Sequence, residues 1–464
     1  MQRRRVLGAS AAASALAITP VLSGCSRSTD GPLRFWAMGR EGEVVGTLLE
    51  DFQRQHPHIR VRVEQLPWTA AHEKLLTAFA GDATPDLAQL GNSWLPEFAA
   101  LGALQPLQAW VNATPALDAP NGFAGDRLEG DRLEGDRFEG DWFKGIWQTN
   151  VVDGVLLGLP WYVDTRLLFY RRDLFARAGI ASMPRTWAGF VQALSALQAS
   201  GIKHPLLLPL NEFEPLLALA LQQDEPLLRD GNRWGNFRSA GFQRALGFFL
   251  DRYRSGHAPA LTNNQISNLW QEFGRGTFAA YISGPWNIGE LDRRLGLARR
   301  ADWATAPLPA PGLAGAKDGV GTSTAGGSSL VVFRRSGRQA DALTLLAWLA
   351  QPAVQLRFHA LTGNLPPRRS TWALPRDGGP LLHDDKSGAF AAQLEHVKPA
   401  PAVPEWERIA QEMQQLAQRA VYARQSPLTM ATALDARVDV FLEKRRWMLD
   451  RAQQQVQTRA KATR

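Results

Sequence analysis

The sequence predicts an α/β protein built as two lobes, and three features carry that reading. The chain has 464 residues, more than one hydrophobic core usually supports. Strand-like and helix-like segments alternate from residue 33 to residue 101, the pattern of a mostly parallel sheet flanked by helices. Finally, the stretch Gly158-Leu159-Pro160-Trp161-Tyr162-Val163-Asp164-Thr165-Arg166 leads into the apolar run 167–170. Pro160 biases Leu159 toward extended backbone. An extended segment carrying Trp, Asp and Arg suits a crossing between lobes, with its side chains facing a shared cleft. The alternative is a core strand with an internal ion pair at one end.

The N-terminus reads as a targeting segment. Arg3-Arg4-Arg5 precedes the uncharged, apolar stretch 6–22, and Leu22-Ser23-Gly24-Cys25 follows. The arginines resemble a twin-arginine export signal and the last four residues a bacterial lipobox. On that resemblance residues 1–24 are a signal peptide, Cys25 is lipidated, and 25–32 form a polar tether. An ordinary transmembrane anchor is the competing reading. Cys25 is the only cysteine, so a disulfide within the chain and a thiolate metal site are excluded.

Composition narrows the function classes. The net charge of +8 falls to +5 without the three leader arginines, and the remaining basic residues are scattered. No basic stripe with interleaved aromatics is present, which argues against a nucleic-acid partner. The 16 tryptophans stand out. Beyond core filling, a surplus of flat indoles with one N–H donor suits recognition of a ligand with a flat apolar side.

In chain order, 33–37 alternates as a first strand, 39–43 is a loop, and 44–56 has helical spacing closed by Pro57. Residues 59–63 form a second strand, 72–80 a helix ended by Gly81, and 86–90 a third strand running into Gly91-Asn92-Ser93-Trp94. Beyond the crossing, 167–170 is a strand, 171–179 a helix stopped by Gly179, and 187–199 a helix capped by Thr186. Helices follow at 213–222 and 240–254, and strands at 277–282 and 302–307. Gly326-Gly327 opens a strand to 333. Helices at 340–349 and 354–361 precede two Pro-rich breaks, and long helices at 407–422 and 428–457 close the chain. Residues 125–145 repeat a Gly-Asp-Arg-Leu-Glu-like pentapeptide. Gly at every fifth position opposes a helix, so this reads as a solvated tandem duplication in a surface loop.

Seven motifs in order resemble the extracellular solute-binding proteins of bacterial sugar ABC transporters, in their maltose/trehalose-type cluster. They are Phe35-Trp36, Gly81-Asp82-Ala83-Thr84-Pro85-Asp86-Leu87, the Leu159–Tyr170 stretch, Gly284-Pro285-Trp286, Gly326-Gly327-Ser328, Gly363-Asn364-Leu365-Pro366-Pro367-Arg368 and Pro404-Glu405-Trp406. The resemblance covers nearly all of 33–445, and the pentapeptide repeat departs from it. It implies a two-lobed periplasmic-binding-protein architecture with a sugar held between the lobes. Crossings are then expected near 160–166, 323–328 and 363–372. The N-lobe is 33–160 plus 328–365, and the C-lobe is 166–323 plus 372–464. The resemblance also implies permease subunits as partners, a membrane contact through the lipid anchor, and a monomer that is not an enzyme and needs no cofactor.

A sugar offers hydroxyls at its rim and C–H groups on its faces, so its site needs aromatic planes beside carboxylate, amide or guanidinium groups. Trp286 and Trp406 lead the stacking candidates, followed by Trp36, Trp94 and Trp161. Glu41 and Asp164 would accept from hydroxyls. Arg40, Arg166 and Arg368 would donate, and Asn92, next to Ser93, could do both. Gly326 and Gly327 would offer backbone N–H groups. Gly321-Thr322-Ser323-Thr324-Ala325 fails the nucleophile-elbow pattern at its last residue, and no phosphate loop is present. His56-Pro57-His58 is the only close His pair, and no metal site is expected there. Two rivals remain: a secreted glycoside hydrolase using Glu41 and Asp164 as its carboxylate pair, and a polysaccharide-binding surface lipoprotein.

Overall fold

The computed structural model describes residues 31–114, 140–266, 268–312, 319–376 and 379–462. The leader, Cys25 and the repeat units at 125–139 lie outside the described residues. Two sheets organise the chain. The first has the order Val61–Leu66, Leu33–Met38, Leu87–Gly91, Gly326–Val332, Leu159–Asp164. The second has the order Trp303–Ala306, Leu167–Arg171, Ala280–Ser283, Leu206–Leu207.

The expectation of mostly parallel sheets needs correction. Leu33–Met38 is parallel to both of its neighbours, but Gly326–Val332 is antiparallel to both of its own. In the second sheet, Ala280–Ser283 is parallel to Leu206–Leu207 and the other two pairings are antiparallel. The reason is topological. A crossover through a helix on the same sheet delivers a parallel neighbour. Gly326–Val332 instead returns from the second sheet, so no such crossover fixes its direction.

The inner strands of each sheet are buried on both faces, as the cores that their successive side chains enter show. Leu33, Phe35 and Ala37 enter one core beneath the Gly39–Gln55 helix, while Trp36 and Met38 enter another with Leu75 and Phe98. In the second sheet Leu168 joins one core and Leu167 and Phe169 the other. Strands covered on both sides need apolar residues at every position, which is why 167–170 shows no alternation in sequence.

The expected loop at 39–43 is the first turn of the Gly39–Gln55 helix. Gly39 sits at φ +45°, and a Cβ there would come within 2.9 Å of Trp68 Cδ1. Thr186 caps the Trp187–Ala199 helix as expected, its hydroxyl accepting from the Gly189 N–H.

The last repeat unit is not solvated. Asp141, Trp142 and Phe143 are buried. Asp141 accepts from Arg368 Nε at 2.5 Å and from the Ser370 N–H at 2.8 Å, and Arg368 also donates to the Ala350 carbonyl at 3.1 Å. Arg368 is fully buried, with its guanidinium 5.5 Å from the centre of the Trp142 ring. This ion pair fastens the last repeat unit to the segment that follows the Pro352–Thr362 helix. Arg368→Met would leave Asp141 buried without its charge partner. It is expected to cost about 3–5 kcal/mol of unfolding free energy, read by denaturant titration. A double Arg368→Met/Asp141→Leu variant should recover most of that loss. A single variant as stable as wild type would mean that solvent reaches the pair.

Candidate functional site

A cavity of about 570 Å³ lies where residues from the two sheets face each other. That volume suits a small organic ligand. The first sheet supplies its wall from the carboxyl ends of its three parallel strands, where open α/β sheets present ligand contacts. Trp68 follows Val61–Leu66, Arg40 and Glu41 follow Leu33–Met38, and Asn92, Ser93 and Trp94 follow Leu87–Gly91.

Glu41 is buried and accepts from Asn364 Nδ2 at 2.6 Å. Burial raises its pKa, opposed by hydrogen bonds from the backbone, Asn364, Tyr162 and Trp68. Behind Tyr162, Gln89 donates to its hydroxyl at 3.3 Å and to Ser328 Oγ at 2.9 Å, while the Met38 N–H donates to Gln89 Oε1 at 2.7 Å. This network fixes the floor. Asn92 Oδ1 accepts from Ser329 Oγ at 2.8 Å, and its buried amide Nδ2 has no hydrogen-bond partner among the described residues.

The chain passes between the sheets through Thr165, which is fully buried. Asp164 closes one strand and Arg166 precedes the next. Arg166 donates to Glu214 Oε1 at 2.7 Å and lies 3.4 Å from Asp164 Oδ1. Its guanidinium covers one face of Trp286 at 4.6 Å. Burial pushes the Asp164 carboxyl up to about 6; Arg166 opposes this, and Glu214, Glu212 and Glu41 add to it. Burial alone would lower the pKa of Arg166, but Asp164, Glu214 and Glu212 hold it above its ordinary value. Gly326 and Gly327 pair with Asp164 and Val163, and Cβ atoms there would meet the Asp164 and Tyr162 carbonyl oxygens at 2.4 and 2.3 Å. These glycines are explained by close backbone approach.

The second wall is built at helix starts. Glu214, Trp286 and Trp406 begin the Glu214–Leu221, Trp286–Leu295 and Trp406–Tyr422 helices, and Glu407 follows in the first turn. Burial raises the Glu407 pKa, against a Ser93 hydrogen bond and the nearby His72.

Of the residues expected at the site, Arg40, Glu41, Asn92, Ser93, Trp94, Asp164, Arg166, Trp286, Gly326, Gly327 and Trp406 line this cavity. Trp36, Trp161 and Arg368 do not, which corrects three assignments. Trp36 lies two residues short of its strand's carboxyl end and is core, with Lys74 Nζ 4.8 Å from its ring centre. Trp161 stacks on Phe358 at 4.5 Å beneath the helices. Arg368 is committed to Asp141. Trp406 reaches the wall but is only 1% exposed, so most of its ring is core. Cavity residues absent from the expectation include Trp68, Tyr162, Glu214, Asn364 and Glu407. The strand-end rule points to Trp68, because it lies two residues past Leu66.

The family description "Bacterial extracellular solute-binding protein" matches residues 41–356. The sugar-binding protein MalE of Xanthomonas citri is 48% identical, with a TM-score of 0.80 over 90% of this chain and 99% of that one. A maltose-bound MalE3 of T. maritima is 22% identical with a TM-score of 0.71, covering 88% of this chain and 99% of that one, and shares the fold. A lipoprotein encoded in the oleD 5' region of Streptomyces antibioticus is 26% identical over 418 residues, 83% of each chain. The family model and the 48% identical relative are both of binding proteins, which favours the expected binding protein over the hydrolase alternative. With two α/β sheets facing one cavity and a family match over most of its length, the chain belongs to the bacterial extracellular solute-binding proteins.

Proposed function

We propose that this protein is the lipid-anchored substrate-binding component of an ABC importer, capturing a maltose- or trehalose-like disaccharide and handing it to membrane permease subunits. The observation that carries this is the wall chemistry. Trp68 and Trp286 offer indole surface beside buried Glu41 and Asn92 and half-buried Asp164, the combination that a pyranose's C–H face and hydroxyl rim require. The sugar-binding MalE relative supports it. The lobes divide as 33–160 with 328–365 and 166–323 with 372–464, and the protein acts as a monomer. Among the described residues no helix is long and apolar enough to cross a membrane. The lipobox around Cys25 and a lipoprotein relative support a lipid anchor in an exported protein.

The direct test is a thermal-shift and calorimetric screen with maltose and trehalose. A disaccharide at 100 times its Kd adds about 2.7 kcal/mol of stability. Silence from both sugars would overturn the disaccharide reading.

Trp286→Ala is expected to weaken binding about thirtyfold, on the order of 2 kcal/mol, while leaving unliganded stability almost unchanged. Lost stability with unchanged affinity would remove Trp286 from the site.

Asp164 makes a pH-dependent prediction. Its carboxyl titrates near 6 in the folded protein, above its ordinary 3.8, so the folded state binds the proton more tightly. Its contribution to stability is therefore full below about pH 4 and lost as pH rises through 6. Asp164→Asn should stabilise the unliganded protein at pH 8 by up to about 3 kcal/mol and have little effect near pH 4, measured by denaturation at both pH values. A destabilised variant at pH 8 would mean that attraction to Arg166 outweighs burial.

Cys25→Ala should move the protein from the membrane fraction to the soluble exported fraction. Full retention in the membrane would favour a transmembrane leader.

A further inference from the structure

The charges around the cavity suggest a property of the ligand beyond its being a saccharide, and this inference rests on that assignment. Among the described residues, the wall holds five carboxylates and three guanidiniums. Each guanidinium is already engaged. Arg40, at the exposed rim, donates to Glu43 at 2.9 Å. Arg166 is held by Glu214 and Asp164. Arg293 pairs with Glu290.

Glu41 and Glu407 therefore face the cavity without an Arg or Lys partner among the described residues. Glu41 has neutral donors only, from Asn364, Tyr162 and Trp68. Glu407 has the Ser93 hydroxyl, and the nearby His72 is bound to Glu97 at 2.8 Å. Each carboxylate occupies the first turn of a helix. The helix N-terminus supplies about half a positive charge, enough to help hold a carboxylate there but not to reverse its sign.

These two groups sort ligands by charge. A sugar hydroxyl finds a buried carboxylate acceptor. An ammonium on the ligand finds a stronger, charge-assisted one. Among the described wall residues a ligand carboxylate finds no uncommitted guanidinium and faces two like charges across the cavity, an arrangement that rejects by repulsion. We infer that the cavity accepts neutral saccharides, prefers those bearing a basic amine, and excludes acidic ones such as uronic acids.

The test is calorimetry at neutral pH on the purified protein with six probes: maltose, trehalose, their 2-amino-2-deoxy derivatives and their uronic acid derivatives. The amine should bind at least tenfold more tightly than its neutral parent, and the uronate at least tenfold more weakly. Glu41→Gln and Glu407→Gln preserve side-chain shape, and the amine preference should shrink in at least one of them. An amine no tighter than its parent, or a uronate that binds as well, overturns the charge inference and leaves the disaccharide assignment standing. Retention of the full amine preference in both folded variants also overturns it. Silence from both neutral parents overturns the disaccharide assignment and this inference together.

Discussion

The guanidinium of Arg166 is the contact on which the junction of the two halves depends. Its carbonyl accepts from Ser323 Oγ at 2.6 Å, which ties the outgoing chain to the returning one. Its side chain joins Asp164, at the end of one sheet, to Glu214, at the start of a helix packed beside the other. A charge taken from water must be paired where it is buried, so this residue constrains the position of both carboxylates. It also lies over the ring of Trp286, 4.6 Å from its centre, and so holds that indole at the cavity wall.

The rest of the site follows from where backbone elements end. Strand ends on one side and helix starts on the other converge on one space, and each terminus leaves polar groups that cannot be satisfied within its own element. Glu41, Glu214 and Glu407 sit at such starts, where the helix dipole favours a negative charge. A carboxylate-rich wall is therefore compatible with a stable fold. Its remaining cost appears as the upward shifts of Glu41, Asp164 and Glu407, all led by burial.

Much of this was legible in the sequence, for reasons that can be named. Period-2 and helical spacing locate most elements, and the pairing of aromatic planes with carboxylate and amide groups picks out Glu41, Asn92 and Trp94. The errors have physical causes as well. Trp36 and Trp161 have the chemistry of a sugar platform, but a strand buried on both faces places indoles in the core as readily as at a ligand. Arg368 resembles a free donor in sequence because its partner, Asp141, lies 227 residues earlier in the chain, and no local pattern reveals such a pair. Glu214 and Glu407 were missed because a Glu in a first helical turn is an ordinary capping feature until the fold shows what it faces. The sheets proved mixed because strand direction depends on the route between lobes, which short-range periodicity does not encode.

The anchored end of the pentapeptide repeat has an evolutionary consequence. Near-identical tandem copies in coding DNA are prone to slippage during replication, which adds or drops whole units. The final unit, Gly140-Asp141-Trp142-Phe143-Lys144, carries a buried indole, a buried phenyl ring and a carboxylate that Arg368 holds. The copies at 125–139 lack that Trp-Phe pair and cannot substitute for it. Related strains can therefore differ in copy number upstream of Gly140 while purifying selection retains the last unit, so length polymorphism and strict invariance should meet at a single glycine.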